Sequence, residues 1–209
     1  MNTLFIGNSF TQRNNLPGLI AKMAETRGRE FRHTLISAGG ASLRQHWNGG
    51  KAPRAIESGG YDRVVLQEQS TLPVKNAARM AENVRLFDAA IKAAGAKTVL
   101  YLTWARLNMP APATQQAITD AYTSIGAELN ATVVPAGEAW RRFLATHKEP
   151  VLHDKDQSHP ALAGSYLAAC AFYAVLFEDS PVGIDADVKG LSGEHRTLLQ
   201  TVAWDVCKR

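Results

Sequence analysis

Short, almost continuous apolar runs recur along this chain, and longer stretches follow them in which apolar residues return every three or four positions. The first run, residues 3–6 (TLFI), is closed by Gly7 and reads as a buried strand. Residues 16–27 then place Leu16, Leu19, Ile20 and Met23 on one face of a helix. Further strand-like runs cover 31–37, 63–67, 98–103 and 132–135. Helical spacing returns over 77–94, where Val84, Phe87 and Ile91 share a face and Gly95 supplies the stop. It returns again over 113–129, with Ile118, Tyr122, Ile125 and Leu129 in step. Helices are also predicted over 137–146, over the apolar stretch 161–177, and over 193–206.

Strands that alternate with helices make a parallel sheet covered on both faces, and buried strands of that kind are apolar throughout rather than at every second position. The pattern therefore predicts a three-layer α/β/α sandwich around a five-stranded parallel sheet, built as one domain over residues 1–209. Ligands of such folds bind beyond the carboxyl ends of the strands. The loops that matter are then GNSF after the first strand, AGGAS after the second, QEQST after the third and TWAR after the fourth, together with the late HDKDQSHP.

Composition narrows the classes without changing the fold. The chain is 45% hydrophobic and 20% charged, an ordinary globular balance. Its net charge of +4 is scattered, with acidic residues interspersed and no block of five like charges, so no nucleic-acid stripe is expected. Cys170 and Cys207 have no metal-ligand spacing, and Cys170 lies in the apolar LAACAFYAVLF as a small buried thiol. No apolar run reaches the roughly 18 residues of a membrane span. Met1-Asn2 leads straight into the first strand, so the chain as it stands reads as cytoplasmic.

The candidate chemistry starts at GNSF. Ser9 follows a strand and a glycine turn, the place where a parallel fold presents a side chain at the sheet's edge; helix capping by Asn8, Ser9 or Thr11 explains the same residues. A serine hydroxyl needs a base to take its proton, and the base needs an orienting partner. HDKDQSHP offers both, because Asp156 precedes His159 by three residues, a spacing at which the carboxylate reaches Nδ1 and leaves Nε2 facing outward. His153 and Asp154 compete for the same roles.

Taken together, Phe5-Ile6-Gly7-Asn8-Ser9-Phe10, the glycine pair in AGGAS and Ser158-His159-Pro160 resemble the blocks of the SGNH, or GDSL-type, serine hydrolases over nearly the whole chain. The resemblance implies a flavodoxin-like fold, Ser9 as nucleophile, and Asp156 and His159 as its partners. It implies an oxyanion-hole N–H from Gly40, with Gly39 as the alternative. Asn8 stands where the superfamily usually has aspartate. The third block, Gly–x–Asn–Asp, is absent, and Leu66-Gln67-Glu68-Gln69-Ser70 occupies its place. A glutamine can make the amide donation that the asparagine makes, which points to Gln67 ahead of Gln69 and is similar to the carbohydrate acetylesterase branch.

The implied activity is hydrolysis of a small acyl ester, acetyl above all, on a small molecule or a carbohydrate, with no metal or organic cofactor. A thioesterase or lysophospholipase, or a catalytically silent carbohydrate-binding protein of the same fold, are the rival readings. Around the site, Trp104 is a candidate pocket wall or core residue, and Arg106 a candidate anion contact or a solvated arginine. His46 and Trp47 are candidates for sugar stacking, and Met109-Pro110-Ala111-Pro112 for a lid or a turn.

Overall fold

The computed structural model describes residues 1–109 and 113–208, so residues 110–112 of the candidate lid lie outside the described part. The strands are β1 (Asn2–Gly7), β2 (Arg32–Ser37), β3 (Arg63–Leu66), β4 (Lys97–Tyr101) and β5 (Thr132–Val134). They pair in parallel throughout, in the order β2-β1-β3-β4-β5. This is the doubly wound, flavodoxin-like order, and the chain reverses its direction of travel across the sheet at β1. Register sets the level of the edge: Gly7 stands opposite Ser37, and the Gln67 N–H donates to the Ile6 carbonyl at 2.9 Å. The loops after β1, β2 and β3 thus leave the sheet side by side.

Alternate strand residues feed two apolar layers. Phe5, Val65, Val99, Tyr101 and Val134 face the side covered by α2 (Leu16–Thr26), α8 (Ala136–Thr146), α9 (Leu162–Phe177) and α10 (Gly193–Cys207). Leu4, Ile6, Val64, Leu66 and Leu100 face α3 (Leu43–Asn48), α4 (Lys51–Glu57), α6 (Ala77–Ala93) and α7 (Ala113–Leu129). The short α5 (Leu72–Lys75) lies in the loop after β3. Helix α9 is apolar all round because α2, α8 and α10 pack against it in addition to the sheet. A Cβ on Gly164 would come within 2.4 Å of both the Trp140 ring and the Leu152 carbonyl oxygen, so glycine alone lets α9 begin pressed against α8. That contact fixes where the preceding loop, HDKDQSHP, must end.

The structure shortens β4, which ends at Tyr101 rather than at 103. It also adds α3 and α4 between β2 and β3, where no helix is expected from periodicity. Local capping builds α3: the Ser42 hydroxyl accepts from the Gln45 N–H at 3.3 Å, and the Gln45 side chain accepts from the Ser42 N–H at 2.8 Å. Among the described residues no helix is long and apolar enough to cross a membrane.

Candidate active site

The turn after β1 is held from within the protein. A Cβ on Gly7 would fall 2.6 Å from the Thr11 hydroxyl and 2.7 Å from Gln67 Oε1, so the sharp exit from the strand requires glycine. Asn8 follows, 2% exposed, as the N-cap of the one-turn helix α1 (Ser9–Gln12). Its Oδ1 accepts from the Phe10 N–H at 3.1 Å, and its Nδ2 donates to the Ala41 carbonyl at 3.0 Å. Its backbone N–H donates to Gln67 Oε1 at 2.9 Å. One residue thereby ties the loops after β1, β2 and β3 together. An aspartate could accept from Phe10 but could not donate to Ala41, which gives the asparagine a physical reason.

Ser9 is therefore delivered at a helix start, half-buried, with no hydrogen bond engaging its own N–H among the described residues. Its Oγ lies 2.8 Å from His159 Nε2. On the other side of the ring, His159 Nδ1 lies 2.5 Å from Asp156 Oδ2. The second carboxylate oxygen accepts from the Ser158 and His159 N–H groups at 3.0 and 2.9 Å. The bond from the His159 ring, backed by those backbone donors, holds the Asp156 carboxyl well below the usual carboxylate range. Asp156 thus remains an anion, and an anion at Nδ1 keeps that nitrogen protonated and Nε2 free to accept from Ser9.

The loop that carries these two residues is largely self-supporting. The Asp154 N–H donates to the His159 carbonyl at 2.8 Å, and the Gln157 N–H donates to the Asp154 carbonyl at 2.9 Å. Arg13 pairs with Asp154 at 2.5 Å, and Asn14 Nδ2 donates to the Pro160 carbonyl at 3.1 Å. Both contacts clasp the segment after Ser9 to the loop. A third staple comes from Trp104, whose indole N–H donates to the Ser158 carbonyl at 3.1 Å. Its ring is sandwiched between Phe10, 4.7 Å away and 5° from parallel, and Trp140, 3.8 Å away and 2° from parallel. Trp104 is thus a buried residue that joins the serine turn to the histidine loop.

The competing candidates have other occupations. His153 is buried and bonded to the Ala105 carbonyl at 3.1 Å, and burial lowers its pKa. His46 Nε2 is bonded to the Gly7 carbonyl at 2.7 Å, and Trp47 packs edge-on against Phe87, so sugar stacking by this pair is not what their contacts serve. Arg106 is half-buried, with its guanidinium on the Ser70 hydroxyl, rather than extended into solvent.

Gly40 lies exposed at φ +66 in a turn closed by the Ala41 N–H and the Ala38 carbonyl, and its N–H is unengaged among the described residues, as is that of Gly39. Gln67 differs from expectation. It is fully buried; its oxygen takes the Asn8 N–H and the Thr11 hydroxyl, and its nitrogen donates to the Glu68 carbonyl. The Asn8 N–H fixes which end of the amide faces the turn, so the group aimed toward the serine turn is an acceptor. Gln69 accepts with its oxygen from the Thr71 and Leu72 N–H groups at the start of α5.

Sequence reasoning named Thr11 only as a cap and Glu68 only as part of the third block, and missed what each holds: the Thr11 hydroxyl donates to Gln67 Oε1. The Glu68 carboxylate is fully buried and accepts from the Leu43 and Gln69 N–H groups and from Asn83. For Glu68 the available signal was a charged residue two positions past an apolar strand, in one of the loops at the sheet's carboxyl edge. Among the described residues no group of three or more His, Cys, Asp or Glu side chains is arranged to hold a metal ion.

No protein-family model matches the chain. No curated protein matches it. Solved structures do. A candidate SGNH hydrolase from Slackia heliotrinireducens superposes with a TM-score of 0.71 at 28% identity, over 84% of this chain and 98% of its own. A DUF4886 family protein from Bacteroides uniformis gives 0.78 at 17% identity, over 99% and 94%. Axe2, an acetylxylan esterase from Geobacillus stearothermophilus, gives 0.62 at 16% identity, over 82% and 91%. The resemblance read from the sequence therefore holds in three dimensions: the chain has the fold of the SGNH hydrolases.

Proposed function

We propose that this protein is a serine esterase that removes a small acyl group, acetyl above all, with a carbohydrate ester as the natural kind of substrate. The observation that carries the proposal is the 2.8 Å approach of Ser9 Oγ to His159 Nε2, across 150 residues of sequence. Ser9 Oγ attacks the ester carbonyl carbon while its proton passes to His159 Nε2. The carbonyl oxygen becomes an oxyanion that the N–H groups of Ser9 and Gly40 receive. The tetrahedral species collapses, the ester C–O bond breaks, and His159 returns the proton to the leaving alcohol. Water then attacks the acyl-Ser9 carbonyl, giving its proton to His159, and release of the acid restores Ser9. Asp156 stays ionised throughout and stabilises the imidazolium.

Gln67 enters this scheme as the residue that holds Asn8, and through it the Ser9 turn. Support for the acyl-ester class comes from the similarity in fold to a protein described as an acetylxylan esterase. Hydrolysis of 4-nitrophenyl acetate, butyrate and decanoate tests the proposal. The acetate is expected to be favoured, and Ser9→Ala is expected to lose about 10⁴-fold or more in kcat/KM with its melting temperature unchanged. A preference for the decanoate would shift the reading to a lysophospholipase or long-chain thioesterase, and full activity in Ser9→Ala would remove Ser9 from it.

A further inference from the structure

Arginine at the rim of a ligand-binding edge ordinarily finds a carboxylate, and Arg106 does not. It belongs to the loop after β4, and its Nε and Nη2 both donate to Ser70 Oγ, at 3.2 and 2.6 Å. Ser70 is itself 4% exposed and belongs to the loop after β3, so the guanidinium is drawn across the carboxyl edge of the sheet by a buried neutral acceptor. Its chain neighbours touch the histidine loop on both sides: Trp104 donates to the Ser158 carbonyl, and the Leu107 N–H donates to the Gln157 carbonyl at 2.9 Å. Arg106 is therefore placed between the loop that braces Ser9 and the loop that presents His159.

The carboxylates of these loops are already committed. Asp156 is taken by His159, Asp154 by Arg13, and Glu68 by two backbone N–H groups and Asn83. Arg44, the other cation near the loop after β2, bonds to Asn83, which in turn serves Glu68. Arg106 has no ion pair among the described residues. A guanidinium has five N–H donors in a planar fork that matches a carboxylate, and Ser70 uses two of them. The result is a charge held in place, short of its counter-charge, at the sheet edge where the loops after β3 and β4 meet.

We infer that Arg106, oriented by Ser70, recognises a carboxylate carried by the substrate, so that the esterase proposed above acts on acidic esters. The inference rests on that reading and adds the substrate's charge to it.

Two matched pairs test the inference: 4-nitrophenyl hemisuccinate against 4-nitrophenyl butyrate, and 4-acetoxybenzoate against its methyl ester. The first places the carboxylate on the acyl side and the second on the alcohol side. In at least one pair the wild-type protein is expected to favour the anionic member by about 10- to 100-fold in kcat/KM, mostly through KM, as for a hydrogen-bonded charge pair. The ratio is expected to shrink at about 0.5 M salt and to fall to about 3-fold or less in Arg106→Gln, with Ser70→Ala in between. Equal rates within both pairs, or a preference that survives Arg106→Gln, would overturn the inference. If no ester turns over, it is the esterase reading that fails. Calorimetric titration of Ser9→Ala and Ser9→Ala/Arg106→Gln with the same four esters then decides the charge question separately: tighter anion binding lost with Arg106 supports it, and equal binding overturns it.

Discussion

The two halves of the candidate site are built in opposite ways. The serine turn is fixed by burial: Asn8 is 2% exposed and Thr11 fully buried, and beside the local Phe10 cap their side chains reach partners dozens of residues away, on Ala41 and Gln67. The histidine loop is fixed locally: the Asp156 side chain is 43% exposed, and its partners are the neighbouring Ser158 and His159. The proposed nucleophile must not drift, and a turn bonded into the sheet's edge does not. The proposed base and its carboxylate must hold one geometry with each other, and an Asp–x–x–His turn secures that through neighbouring residues. Only the relation between the halves needs long-range contacts, and Arg13, Asn14 and Trp104 provide them.

Substitutions in the two halves should therefore fail differently. The largest effect is expected from Asp156→Asn, about 10⁴-fold in kcat/KM, because an amide oxygen or nitrogen facing Nδ1 no longer enforces the reactive tautomer. Its melting temperature should fall only by the carboxylate's own contribution, since the site is exposed and the backbone donors keep an acceptor. Asn8→Asp should do the reverse of what its conservative chemistry promises. It sets a carboxylate oxygen against the Ala41 carbonyl in a buried place, costing about 1–3 kcal/mol of stability together with activity. Gln67→Ala should likewise lower the melting temperature, because the Asn8 N–H loses its acceptor. A clean loss of kcat with stability intact would instead return Gln67 to the oxyanion hole. The smallest effect is expected from Asp154→Asn, a few-fold in kcat/KM and under about 1 kcal/mol, the scale of a half-exposed ion pair. Equal losses at Asp154 and Asp156 would erase the distinction between the carboxylates.

Acid tests the histidine loop through its carboxylate. A carboxyl held below its ordinary value when folded binds fewer protons there than when unfolded, so its contribution to stability is present above that ordinary value and lost only below it. Asp156 has this sign. The melting temperature should thus keep the Asp156 contribution down to about pH 4 and lose it only in stronger acid. An Asp156 contribution that is already lost well above about pH 4, read as the wild-type protein minus Asp156→Asn, would contradict this.

The sequence made the strands and long helices legible because their apolar periods are unbroken, and its spacing singled out Ser9, Asp156 and His159, side chains that lie within hydrogen-bond reach in the structure. It did not show α3 and α4, which are too short for a sustained apolar period; α3 rests on its Ser42–Gln45 capping box, and α4 has no side-chain cap. Nor did it show the role of Gln67. Strand parity says which side of the sheet a residue takes, but not whether its amide presents oxygen or nitrogen. Trp104 was legible as an aromatic after β4. Its sandwich between Phe10 and Trp140 joins residues from three separate elements, a relation that no local pattern encodes.

Covalent labelling addresses the union of the two halves most directly. The protein is treated with a fluorophosphonate, the modified peptide is mapped by mass spectrometry, and the measurement is repeated on His159→Ala. Stoichiometric labelling on Ser9, abolished or strongly slowed without His159, is the predicted result. Labelling of another serine, or of Ser9 at the same rate without His159, would show that these residues meet without forming an activated nucleophile.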